Sequence, residues 1–221
     1  MDFYPLLNSL RVALIATLIV FFLGIFAAFY IAKLSRVTKA LLDVVLTLPL
    51  VLPPTVVGYL LLLLLGPNSI LGEFLGRFGV RFVMNWQAIV IACVVVSFPL
   101  MYRTARGAFE SFDESLADAA KTLGLSNAFI FWRIRLAYCK NGLLAATVLA
   151  FARALGEYGA TSMVAGFTPG VTATISTSVY HFWRVNDEAS AAFWVVINIV
   201  ISVAVLLVLN GFEKRGKNVK S

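Results

Sequence analysis

Asp118-Ala119-Ala120-Lys121-Thr122-Leu123-Gly124 stands at the centre of a polar island, about Arg106 to Tyr138, between two long apolar segments. The chain is 61% hydrophobic and only 13% charged, so a stretch this polar has to lie in water, against a partner or an interface. The segments around it decide the fold. A mean hydropathy of +0.92 over 221 residues is foreign to a soluble domain, whose apolar share is about 45–50%. The sequence is that of a polytopic membrane protein.

A bilayer core of about 30 Å needs about 20 mostly apolar residues per helix. Five segments meet this, Val12 to Ala32, Leu42 to Leu65, Trp86 to Ala105, Gly142 to Val164 and Ala191 to Gly211. Strands of alternating polarity, the mark of a membrane barrel, are missing, so the expected fold is all-α, one transmembrane bundle over residues 1–221. The net charge of +7 reflects topology rather than nucleic-acid binding, because Lys and Arg cluster at span ends and in alternate loops. Five spans put the termini on opposite sides. With the N-terminus outside, 13 of the 18 basic residues fall in the cytoplasm, leaving Arg11, Arg77, Arg81, Arg153 and Arg184 outside or embedded. The island and the basic tail, 212–221, are then cytoplasmic.

The opening Met1-Asp2-Phe3-Tyr4-Pro5 has no basic n-region, so the first span is expected to stay in the mature protein. Cys93 and Cys139 have neither disulfide nor zinc-ligand spacing and read as packing residues. Gly211 to Asn218 nearly matches a phosphate-binding loop, but Asn218 replaces the hydroxyl that reaches magnesium and no strand precedes it. No metal ligands, catalytic constellation or bound cofactor is expected, so the chain reads as a non-enzyme.

Within the island, Ser111-Phe112-Asp113-Glu114 has the form of a capping box, with Phe112, Leu116, Ala119, Ala120 and Leu123 on one helical face. Gly124 suits a left-handed stop, and Ser126-Asn127 a cap for a second short helix, Ala128 to about Arg135. Helices of three turns need packing partners. Lipid headgroups, the protein's own bundle and a protein partner all remain open as the surface they meet.

The pattern Asp118-Ala119-Ala120-x3-Gly124-x9-Ile134-x-Leu136 resembles the Glu-Ala-Ala-x3-Gly-x9-Ile-x-Leu-Pro loop of binding-protein-dependent ABC transporter permeases, with Asp for Glu and Ala137 for Pro. Leu48 to Tyr59, Ser97 to Met101 and Phe151 to Thr161 are similar to the molybdate permease subunits, and the resemblance runs from about Leu10 to Gly211. Thr174-Ile175-Ser176 lacks the proline found there in the family. The resemblance implies a homodimer in a bacterial or archaeal cytoplasmic membrane that imports molybdate by alternating access. It also implies cytoplasmic ABC ATPase subunits that hold ATP and Mg, and a periplasmic or lipoprotein oxyanion-binding protein. Tungstate or sulfate/thiosulfate import is the rival within the class, and a secondary transporter the rival outside it. Asp118, Ala119, Ala120, Gly124, Ile134 and Leu136 would then couple to the ATPase through a coupling helix in the 106–138 loop.

Inside the membrane, Pro49, Pro53 and Pro54 remove backbone donors from the second span and predict a kink facing the bundle interior. Ser97-Phe98-Pro99 predicts the same in the third. Packing alone is the other reading of both. Arg153 and Glu157, four residues apart, are expected to pair, as a structural bridge or as part of a gate. Thr47, Thr55, Ser97, Thr161, Ser162, Thr174, Ser176, Thr177 and Ser178 offer hydroxyls to an anion path, most of them expected to bond their own backbone. His181, near Tyr180 and Trp183, reads as interfacial.

Overall fold

The computed structural model describes residues 2–79 and 81–217, with backbone alone for 209, 210 and 212–217. Ten helices account for its regular structure: α1 (Tyr4–Ile31), α2 (Arg36–Val51), α3 (Pro54–Leu65), α4 (Ile70–Arg77), α5 (Trp86–Glu110), α6 (Glu114–Thr122), α7 (Asn127–Leu155), α8 (Gly159–Val164), α9 (Ile175–Arg184) and α10 (Glu188–Lys217). Four of them, α1, α5, α7 and α10, are long and apolar enough to cross a membrane, and the pair α2 and α3 makes a fifth crossing if the two count as one.

Small residues explain how the long helices approach. Along α1, Ala16, Val20, Gly24 and Ala28 recur every fourth position and all are buried, the spacing that lets membrane helices pack backbone to backbone. A Cβ on Gly24 would lie 2.6 Å from Met101 Cγ of α5. The core divides along the bundle. Tyr102, Phe109 and Phe131 centre one cluster at the α6 end, and Val12, Val96 and Ala160 belong to another at the far end. There Tyr4 donates to the Val171 carbonyl at 2.8 Å and Asn8 to that of Ala173 at 3.0 Å, fastening the start of α1 to the loop before α9.

The second span is broken rather than kinked. The α2 and α3 axes differ by 111°, and the turn falls at Leu52 and Pro53, whose ψ angles of 140° and 136° are extended. Consecutive prolines force this, since each disfavours the helical conformation of the residue before it. Pro49 sits inside α2 without ending it. Of the three prolines Pro53 is exposed, whereas Pro49 and Pro54 are half-buried, Pro54 lying against Gly159 of α8. The third span is not broken in this way: α5 runs as one helix through Pro99, which is buried.

The fourth span differs most from expectation. The predicted Gly142–Val164 segment ends at Gly156, and α8 is a separate six-residue helix. The Glu157 carboxylate takes the Ala160 N–H at 2.7 Å, an amide that a continuous helix would direct to the Gly156 carbonyl. The same helix begins earlier than expected. Ala128 to Arg135 is no separate helix but the first turns of α7, widened into a π-helical segment over Ile130–Arg135. Ala137, unlike proline, leaves the ladder intact through that point. At the end of the chain, the near match to a phosphate loop is helical through Lys217; residues 218–221 of the tail lie outside the described residues.

Candidate functional site

Asp113, rather than Ser111, caps α6, accepting the Ser115 N–H at 3.0 Å, and that hydrogen bonding holds its carboxyl below the usual range. The Ser111 hydroxyl instead donates to the Ala108 carbonyl. No capping box forms because Glu114 is engaged elsewhere. Arg135 reaches it with two N–H groups, Nη1 to Oε1 and Nη2 to Oε2, both at 2.7 Å. Those hydrogen bonds hold the Glu114 carboxyl below the ordinary glutamate value.

The orientation of α6 also departs from the predicted face. Phe112, Ala117 and Ala120 turn inward, at 5%, 2% and 5% exposure. Leu116, Ala119 and Leu123 turn outward with Asp118 and Lys121, which pair at 2.8 Å. Alanines on the inner side let this short helix lie close to the bundle. The outer side keeps an apolar strip, with Leu123 at 80% exposure. Gly124 closes the helix at φ +80°, where a side chain would be strained, and Ser126 accepts the Phe129 N–H as the predicted cap of the next helix. Of the predicted coupling residues, Asp118, Ala119 and Gly124 are therefore on the surface, while Ala120 is buried and Ile134 and Leu136 pack half-buried against the core beneath.

At the far end the two interrupted spans meet. Gly159 opens α8 directly against the start of α3; a Cβ there would lie 2.9 Å from Pro54 Cβ and 3.1 Å from the Thr55 nitrogen. Gly58 of α3 faces Ala160, where a Cβ would lie 2.7 Å from Cα. The break at Pro53 and Pro54 thus rests on the break at Gly156 to Tyr158. Glu157 joins α7 to α8, with one carboxylate oxygen on the Ala160 amide and the other on Arg153 Nη1 at 2.6 Å. Its side chain is 1% exposed against 29% for Arg153, so the charge is buried on one side only. The predicted pairing forms although α7 has ended by Glu157.

Most of the predicted hydroxyls serve their own backbone: Thr47 bonds the Asp43 carbonyl, Ser97 that of Cys93 and Ser162 that of Gly159. Thr174 and Thr177 cap α9 reciprocally. Thr55 is exposed, and Thr161 and Ser178 are fully buried with hydroxyl oxygens that have no hydrogen-bond partner. Ser162 and Thr177 line one cavity, and Ser176 and Ser178 each line another. His181 is half-buried and stacks on Phe167 with ring centres 4.0 Å apart.

One cluster was missed in the sequence. Asp43 of α2 accepts from both the Tyr102 hydroxyl and the Arg106 guanidinium of α5, while Glu110 receives Arg106 at 2.8 Å and Lys39 at 3.3 Å. This network ties α2 to α5 beside α6. Its signal was a lone carboxylate at the edge of the apolar 42–65 stretch, where a partly buried charge needs a partner.

A family model described as binding-protein-dependent transport system inner membrane component matches residues 20–217. The molybdenum transport system permease protein ModB of Escherichia coli (strain K12) is 42% identical over 209 residues, 94% of this chain and 91% of that protein. The putative molybdenum transport system permease protein YvgM of Bacillus subtilis (strain 168) is 39% identical over 205 residues, 92% and 90% of the two chains. Among solved structures, a chain of a bacterial ABC transporter involved in the import of the acidic polysaccharide alginate aligns with a TM-score of 0.75. That match covers 96% of this chain and 78% of the other, and at 16% identity it carries the fold alone.

Proposed function

Because the chain belongs to the binding-protein-dependent transport system inner membrane component family, we propose that it is the membrane-spanning subunit of an ATP-driven molybdate importer that works by alternating access. The observation that carries the cargo is the 42% identity, over nearly the full length of both chains, with a molybdenum permease. Two copies form the pathway. ATP and magnesium reside on separate ATPase subunits docked against α6, and an external binding protein delivers the anion to the far end of the bundle. The N-terminus then faces outward and the α6 end the cytoplasm, which agrees with the positive charge concentrated around Lys33, Lys39, Arg103 and Lys140.

The geometry supports α6 as the element that meets the ATPase. It is short, exposed, apolar along Leu116, Ala119 and Leu123, and fixed to α7 by the Arg135 fork. A push on α6 would be passed by Arg135 to α7, at whose other end Arg153 and Glu157 tie on α8, which itself packs against α3 through Gly159 and Gly58. We assign the gate to that junction, where Gly159 meets Pro54 and Thr55 and Gly58 meets Ala160; Pro53, Glu157 and Thr161 are close in sequence to those contacts, and Pro49 and Ser97 lie in α2 and α5. The test is uptake into proteoliposomes carrying this chain, its ATPase and its binding protein. ATP-dependent molybdate accumulation, inhibited by tungstate more strongly than by sulfate, is expected. Accumulation without ATP, or of sulfate in preference to molybdate, overturns the reading.

A further inference from the structure

At the far end of the bundle a cavity of about 350 Å³ opens beside α9, within the range of small-ligand sites. Tyr158, Ser162, Thr177, Tyr180, His181 and Arg184 supply its polar lining, with no carboxylate among them. Tyr158 and Tyr180 stand side by side with ring centres 5.4 Å apart. Arg184 forms no ion pair among the described residues. By contrast Arg153 is paired with Glu157, and Arg11 lies over the Trp86 ring at 3.7 Å.

The nearest acidic groups in sequence are occupied. Glu157 is buried on Arg153 and the Ala160 amide, and Asp187 accepts the Ser190 N–H at the start of α10. The carbonyls that end α9, which would repel an anion, are also covered. Those of His181, Phe182 and Trp183 accept from the amides of Val185, Asp187 and Asn186. The lining therefore offers one guanidinium, two tyrosines and an imidazole, while the Ser162 and Thr177 hydroxyls donate to the carbonyls of Gly159 and Thr174. This is donor chemistry suited to an oxyanion, and the planar fork of Arg matches two of its oxygens at once.

We propose that Tyr158, Tyr180, His181 and Arg184 form a transient binding site for the tetrahedral oxyanion, occupied after delivery and before passage through the Pro54–Gly159 junction. The site rests on the reading of this chain as an oxyanion permease. A single fixed positive charge draws a dianion without neutralising it, and hydroxyls hold it by hydrogen bonds that break one at a time. That satisfies the requirement of a path, in which binding is favourable enough for entry and weak enough for release. Tyr158 directly follows Glu157, so an occupant of the cavity touches the residue next to the ion pair that holds α8.

The experiment is equilibrium dialysis of the purified full chain, in lipid nanodiscs without binding protein, against radiolabelled molybdate at constant chloride. Saturable binding is expected, competed by tungstate. Arg184→Gln should weaken it about tenfold or more, as loss of charge-assisted hydrogen bonds does, and Arg184→Lys less. Tyr180→Phe removes one hydroxyl without a change of shape and should weaken binding severalfold in a protein that elutes normally on gel filtration. Absence of saturable binding in the unaltered chain, or equal binding by Arg184→Gln and Tyr180→Phe, overturns the site. Molybdate uptake by the unaltered transporter is scored separately: binding without uptake overturns the proposed cargo, and uptake without binding overturns this site alone.

Discussion

Arg135 grips Glu114 with both arms of its guanidinium, at 2.7 Å on each oxygen, and so ties the exposed α6 to the start of α7. Its guanidinium carbon also lies 4.3 Å from the centre of the Phe112 ring, a cation–π contact that helps fix the fork in place. Glu114 is 63% exposed, which confines the pair to the range of surface bridges, below about 1 kcal/mol. Its removal is expected to act on coupling more than on folding. Arg135→Lys keeps the charge and loses the fork; it should lower molybdate moved per ATP hydrolysed while the melting temperature changes little. Because the Glu114 carboxyl is held below its ordinary value near 4.5, the pair's contribution is whole above that value and disappears as pH falls through the folded value. The melting-temperature difference between the unaltered chain and Glu114→Gln should be flat from pH 8 to 6 and shrink below about pH 4.5.

What could be read in advance follows from where the signals lie. Spans α1, α5 and α10 were legible because their apolar runs coincide with their helices, and Gly124 because a left-handed stop requires that residue. The end of α7 at Gly156 was not. The residues on both sides of it are equally apolar, and the break depends on Glu157 taking an amide from three residues ahead. The inner face of α6 is hidden in the sequence for a related reason: Ala117 and Ala120 are weak hydrophobic signals, yet their small size decides which side approaches the bundle. The link between Glu114 and Arg135 spans 21 residues, so no local spacing announces it.

The crossing of α3 and α8 permits no side chain at Gly58. A Cβ there would meet Ala160 Cα at 2.7 Å and Met163 Cβ at 2.8 Å, and the first of these is backbone. Gly58→Ala should cost about 1–3 kcal/mol, the range of overpacked cores, and a valine more. Gly107, inside α5 with nothing within 4 Å of its Cβ position, is the control. There alanine relieves the helix cost of glycine, about 1 kcal/mol, and should raise the melting temperature. Thermal unfolding of both variants in detergent is the measurement; a neutral Gly58→Ala would refute the backbone contact.

Gly124 presents the opposite case, with space for a Cβ but a φ of +80°. Alanine should cost about 1–2 kcal/mol from backbone strain alone, and asparagine less, since it tolerates this region. Glutamate adds to that strain a charge beside the apolar strip of Leu116 and Leu123. Gly124→Glu should therefore lose most ATP-driven uptake while Gly124→Asn retains most of it. Equal uptake by the two variants would show that this surface meets no partner.

Arg153 and Glu157 differ in burial, and that difference predicts which truncation is worse. Arg153→Gln leaves a 1%-exposed carboxylate with a single donor, the Ala160 amide. Breaking a buried pair in this way costs about 3–5 kcal/mol. Glu157→Gln is milder: its amide oxygen still accepts from Ala160, and the partly exposed guanidinium reaches water. The double variant Arg153→Gln/Glu157→Gln removes both charges and should be more stable than Arg153→Gln alone. Melting temperatures of the four proteins form a double-mutant cycle whose interaction energy measures the pair. If the junction gates the path, the double variant should fold well yet hydrolyse ATP without proportionate uptake. Normal uptake in a well-folded double variant would leave the pair a structural bridge between α7 and α8.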